Sequence, residues 1–219
     1  MNDVFQPSKD LQAIRQYMEK SSRFISLSGL SGISAGICAL IGAYLAYPFI
    51  IGTKENLINV SVGIVLAIQE SYLIIFYTWL FWIAMGTFLA ALLTSFIFTY
   101  RKSKRQQLPI WSTTSKRLLI NLAIPLAVGA VFLFRMIYFN TYALIAPGCL
   151  LFYGLALLNA SKYTLQEIRW LAISQLIVGM ISLIFLDYGI YFWAFGFGVL
   201  HIFYGSYMWW KYERNEETS

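Results

Sequence analysis

The sequence predicts an all-α protein: a polytopic transmembrane helical bundle of six spans, N-in and C-in. Three observations predict it. Charged residues make up 12% of the 219-residue chain, about half of the roughly 25% carried by a soluble globular chain. That is too little polar surface to cover a water-soluble particle of this size. The polar residues are clumped, and the uncharged runs between them suffice for the roughly 20 residues, at about 1.5 Å each, that cross a hydrocarbon core. Those runs are unbroken, whereas the strands of a membrane barrel alternate over segments of about ten residues.

The elements follow in order. Residues 1–23 read as an amphipathic cytoplasmic N-terminal helix. Ser8 is its cap, Asp10 lies in the first turn, and Leu11, Ile14, Tyr17 and Met18 share one face. Such a helix lies on the inner membrane surface, and the sharper reading makes it a docking site for a cytoplasmic partner. No cleavable signal peptide is expected, since the first apolar run starts only at Phe24. Residues 24–210 form the six-helix transmembrane domain, with spans near 24–48, 71–100, 118–137, 142–160, 168–186 and 189–210.

Helix 1 is uncharged and ends near Pro48. Residues 57–69 are too few to span alone and read as an interfacial segment or an extension of helix 2. The run Arg101-Lys102-Ser103-Lys104-Arg105 closes helix 2. Helix 3 contains Pro125 and carries Arg135 near its far end, and Asn140-Thr141 turns into helix 4. Pro147-Gly148 predicts a kink there, of the kind that membrane helices tolerate when neighbours satisfy the freed carbonyl. Thr164, followed three residues later by Glu167, reads as a capping box that opens helix 5. Asn121 and Asn159 lie near inner helix ends, where they cap or cross-link helices. Asp187 marks a tight turn, and residues 211–219 form a short, frayed cytoplasmic tail.

Charge fixes the orientation. Fourteen of the 16 Lys and Arg residues fall on the side that receives the N-terminus, the 101–117 and 161–169 loops and the tail. Only Lys54 and Arg135 fall on the other side. Cytoplasmic loops collect Lys and Arg, so the chain is read as a multi-pass protein of a bacterial inner membrane. Trp170, Trp193, Trp209 and Trp210 fall near helix ends, at headgroup level. The pI of about 9.3 is then explained by insertion and by contact with anionic lipid, and no nucleic-acid partner is expected. The partners considered are the lipid bilayer, a cytoplasmic protein and a second copy of the chain.

Small residues mark the faces where helices approach closely in lipid. Helix 1 has the stripe Gly29, Gly32, Gly36, Ala39, Ala43 and Ala46. Intramolecular packing is preferred over a dimer seam. Helix 5 carries Ala172, Gln175, Gly179 and Ser182 on one face; helix 6 carries Ala194, Gly198, His201 and Gly205. Gln175 and His201 are each thirteen residues from the turn at Tyr188. An antiparallel hairpin therefore sets them at similar depth, as buried neighbours in the cytoplasmic half of the bilayer. An intramembrane histidine is a functional candidate. The alternative is a neutral imidazole that pins the hairpin register through Gln175 or a carbonyl. If the pair serves a solute, Tyr153 and Ser182 are expected to line the cavity.

Catalytic sets are not found. With one histidine in the chain there is no H-E-x-x-H and no multi-histidine metal centre. No catalytic residues, metal or cofactors are predicted. Cys38 and Cys149 both lie in uncharged runs and read as small buried apolar residues, not as a disulfide.

Two stretches carry a resemblance: the segment from Arg23 to Ile33, and LFYGLALLNASKYTLQEIRWL from Leu151 with FWAFGFGVLHIFYGSYMWWKYE from Phe192. They resemble a group of small bacterial integral membrane proteins known only as uncharacterised. The resemblance implies membership and the six-span layout, but no activity, and no functional residues are carried over.

Three functions are weighed. The first is a non-enzymatic protein that senses its bilayer or a hydrophobic ligand, or scaffolds a partner, through its basic cytoplasmic face. The second is a carrier of a small neutral or aromatic solute, which needs a polar cavity around His201. The third is a membrane-embedded enzyme.

Overall fold

The structure, a computed structural model, describes residues 28–59, 79–107, 109–139 and 141–214, with the backbone alone over 51–59. The expected N-terminal helix at 1–23, the 60–69 part of the interfacial segment, the start of helix 2 and residues 215–219 lie outside the described residues. All regular structure among the described residues is helical. Six of the helical stretches are long and apolar enough to cross a membrane.

The helices are α1 (Gly29–Asn59), α2 (Trp79–Arg105), α3 (Thr113–Tyr138), α4 (Ile145–Ala160), α5 (Gln166–Ile184), α6 (Gly189–Trp193) and α7 (His201–Tyr212). A π-helical stretch, Ala194–Leu200, joins α6 to α7, and the three form one sixth span, Leu186–Tyr212. The order of packing differs from the order of sequence. α2 packs on α1, and α1 packs on the sixth span. The sixth span also meets α4 and α5, which pair with each other, and α3 packs on the outside of α4.

Several boundaries differ from the expected ones, each for a physical reason. α1 runs through Pro48 to Asn59 instead of stopping at the proline. The carbonyl that Pro48 leaves free is tolerated in a membrane helix when neighbours or water take it up. α2 continues through its basic run to Arg105, because Lys102, Lys104 and Arg105 in the last turn favour the negative end of the helix dipole. Gln107, with φ 53°, then turns the chain away. α3 begins at Thr113, since Ser112 and Ser115 form a reciprocal capping box with Ser115 N donating to Ser112 Oγ at 3.1 Å. Pro147 is the third residue of α4, within the first turn, where a missing amide costs no intrahelical bond. It therefore does not interrupt the span.

The capping box expected at Thr164 gives way to another arrangement. Leu165 is the N-cap of α5, and Glu167 reaches across to Lys211 Nζ at 2.6 Å and accepts from Tyr212 Oη at 2.9 Å. A buried carboxylate gains more from a cation than from a backbone amide. The tail residues Lys211 and Glu213 are likewise held, not frayed: Glu213 accepts from Ser28 Oγ at 3.0 Å, from Gly29 N at 2.6 Å and from Lys102 Nζ at 3.3 Å. Together with Asn159 Nδ2 donating to Asn121 O at 2.9 Å, these bonds gather one end of every span on the same side. The spans thus alternate in direction, and the shared end is the basic one.

The stripe on α1 faces the sixth span within the same chain. A Cβ on Gly32 would meet Gly205 Cα at 3.1 Å and His201 O at 3.3 Å, and one on Gly36 would meet Gly198 O at 2.7 Å. Gly29 is closed in by Trp209 and Gly205 backbone. The expected meeting of the small faces of helices 5 and 6 is corrected here. Gly198 and Gly205 are used by α1, while Gly179 faces Leu151 and Leu150 of α4 at 3.0–3.2 Å. The sixth span has two small-residue faces to offer, and the longer glycine stripe of α1 takes the one that allows backbone to meet backbone.

Candidate functional site

Two polar regions stand out from the apolar bundle. The first is at mid-span. Gln175 is the central residue of α5 (Gln166–Ile184), and His201 lies beside it, so the two are the buried neighbours that the sequence predicts. The π-helical stretch before His201 widens the backbone turn and places the Gly196 carbonyl within reach of two side chains. Gln175 Nε2 donates to it at 2.8 Å, and His201 Nδ1 lies 3.0 Å from it.

A carbonyl oxygen only accepts, so in the neutral ring Nδ1 carries the proton and Nε2 is the acceptor. Tyr153 of α4 then donates its hydroxyl to His201 Nε2 at 2.9 Å. Gln175 Nε2 lies 3.5 Å from Nδ1; with both groups donors, that is proximity rather than a bond. One carbonyl with two lone pairs serves both. Phe197 stacks on the His201 ring at 6.0 Å and meets Tyr153 at a tilt at 5.0 Å, and Trp193 extends the cluster at 5.0 Å from Phe197.

The region is packed. Gln175 and Leu150 are fully buried, and a Cβ on Gly196 would collide with Leu150 and with Gln175 Oε1. Of the residues expected to line a cavity, Tyr153 has its hydroxyl on His201, and Ser182 is fully buried on α5. Two acceptors here, Gln175 Oε1 and Ser182 Oγ, are buried with no hydrogen-bond partner.

The second region is the basic end. Lys102 and Glu213 are 8% and 11% exposed. Their pair joins α2 to the sixth span, and the Glu213 carboxylate also supplies the negative charge and acceptors that the N-terminus of α1 needs. Glu167, 7% exposed, does the same work between α5 and α7, with Ser174 Oγ and Tyr204 Oη 3.2 Å apart as a further tie. Beside Glu213 opens a cavity of about 960 Å³ between the start of α1 and the end of α2.

No family model matches the chain, and neither does any curated protein or solved structure. The reading of the two regions therefore rests on their own geometry. Cys38 and Cys149, expected as small buried apolar residues, are free thiols of intermediate burial. Among the described residues no three of His, Cys, Asp and Glu gather as metal ligands.

Sequence reasoning missed Gly196, Phe197, Glu213 and Lys102. The glycines of AFGFGVL were a signal for close approach, but nothing in them announced a π-helical turn. Glu213 looked like one of several tail charges, and only the fold reveals its partner 184 residues away.

Proposed function

We propose that this chain is a non-enzymatic, multi-pass protein of a bacterial inner membrane, oriented with its basic end in the cytoplasm, that senses the bilayer through that end. The observation that carries the reading is the placement of two ion pairs, each with a largely buried glutamate. Glu213 with Lys102 and Glu167 with Lys211 tie α1, α2, α5 and the sixth span together at the basic end. Ion pairs near a charged surface respond to its potential, and these two set how the spans meet. The orientation is supported by the sequence, which assigns fourteen of the 16 Lys and Arg residues to that side.

The test is a distance. Probes at Gln107→Cys and Arg214→Cys, in a chain lacking Cys38 and Cys149, should give different distance distributions in phosphatidylcholine and in phosphatidylglycerol vesicles. Identical distributions would sink the sensing role.

A second reading, carriage of a small neutral solute, draws on the unpartnered Gln175 Oε1 and Ser182 Oγ in the bundle interior. It requires the packing around Gly196 to open. Solute-dependent quenching of Trp193 fluorescence that Gln175→Leu abolishes would favour it over sensing.

A further inference from the structure

The cavity at the basic end has an apolar floor and a cationic rim. Leu30, Phe96 and Ile97 come from spans α1 and α2; Arg101, Lys104 and Arg105 form the rim. Its volume of about 960 Å³ is at the upper end of the roughly 300–1,000 Å³ typical of small-molecule sites. We propose that this cavity binds a single anionic phospholipid, with the phosphate diester on Arg101 and Lys104 and the upper acyl chain against Phe96 and Ile97. The inference rests on the basic-face reading above and gives that face a defined ligand.

Charge complementarity selects the occupant. At this end the described carboxylates are Glu167 and Glu213, and Lys211 and Lys102 hold them. Arg101 and Lys104 are exposed, with no acidic partner among the described residues. An anion from outside the described fold is the natural counter-charge, and a phosphate presents oxygens to several cations at once. Residues 1–27 of the same chain fit less well, with four basic residues (Lys9, Arg15, Lys20, Arg23) against three acidic ones (Asp3, Asp10, Glu19). Residues 215–219, Asn-Glu-Glu-Thr-Ser, bring negative charge but no apolar side chain for the floor. A phospholipid supplies both an anionic group for the rim and an acyl chain for the floor.

Native mass spectrometry of the full chain, titrated with phosphatidylglycerol in mild detergent, tests this. The wild type should bind one phosphatidylglycerol tightly and phosphatidylcholine at least tenfold more weakly. The double variant Arg101→Gln/Lys104→Gln should lose at least tenfold in phosphatidylglycerol affinity. Lys116→Gln/Arg117→Gln, which removes the same charge from the same end outside the cavity, should stay within about twofold of wild type. Equal loss in both variants would mean diffuse electrostatic attraction and would overturn the site. So would unchanged binding in the first variant, or displacement of the lipid by millimolar inorganic phosphate. The two proposals fail separately. If the lipid binds as described and the 107–214 distance does not move, the site stands and sensing falls. If the distance moves while Arg101→Gln/Lys104→Gln keeps its lipid, sensing stands and the site falls.

Discussion

α2 and α5 are both membrane spans, yet apolarity and burial run in opposite directions in them. α2 is the more apolar, and none of its 18-residue apolar window is buried; α5 is less apolar, and 44% of its window is buried. α3 and α4 repeat the contrast, with 6% and 39% buried. In water the more apolar helix would go inside. In lipid the surroundings are as apolar as leucine, so apolarity earns no interior place. What takes α5 inside is polar and small: Gln175, Ser182, Ala172 and Gly179, which need partners or permit close approach.

The largest effect that would sharpen this contrast comes from making the same truncation in each region. Leu150→Ala, at a side chain with no exposure in α4, should cost roughly 3 kcal/mol of stability in mild detergent, because the cavity it leaves does not refill. Leu93→Ala, 62% exposed on α2, should stay within about 0.5 kcal/mol. Equal losses would break the comparison. A smaller effect is expected at the polar node. Gln175→Leu and His201→Leu share the Gly196 carbonyl, so a double-mutant cycle should show a coupling on the order of 1 kcal/mol. Strict additivity would mean that the shared acceptor carries no energy.

Much of this was legible in the sequence. Unbroken apolar runs locate spans because lipid leaves the backbone few alternatives. The α1 stripe is legible because three- and four-residue spacing puts Gly29, Gly32 and Gly36 on one face whatever the partner. The partner itself was not: the same logic applied to Gly198 and Gly205 pointed to α5, and the choice between two compatible faces depends on shape. Counting from Tyr188 set Gln175 and His201 at matching depth, but the acceptor that joins them arises from a π-helical turn with no local signature. At the basic end, Thr164 and Glu167 fit a local motif, and a tertiary cation outcompeted it. Local patterns failed where a charge had a stronger partner far along the chain.

The central claim is that close backbone approach, not apolarity, decides which spans lie inside, and one pair of substitutions tests it most directly. A Cβ on Gly205 would meet Gly29 O and Ile33 N at 2.7 Å, whereas a Cβ on Gly86 of α2 would meet nothing within 4 Å. Unfolding of Gly205→Ala and Gly86→Ala in mild detergent should therefore differ sharply. Gly205→Ala should lose about 2 kcal/mol, within the range for overpacking a tight contact, and Gly86→Ala should change by less than about 0.5 kcal/mol. Equal stability of the two variants would contradict the account, since close backbone packing at the α1 seam would then not be what holds the sixth span in place.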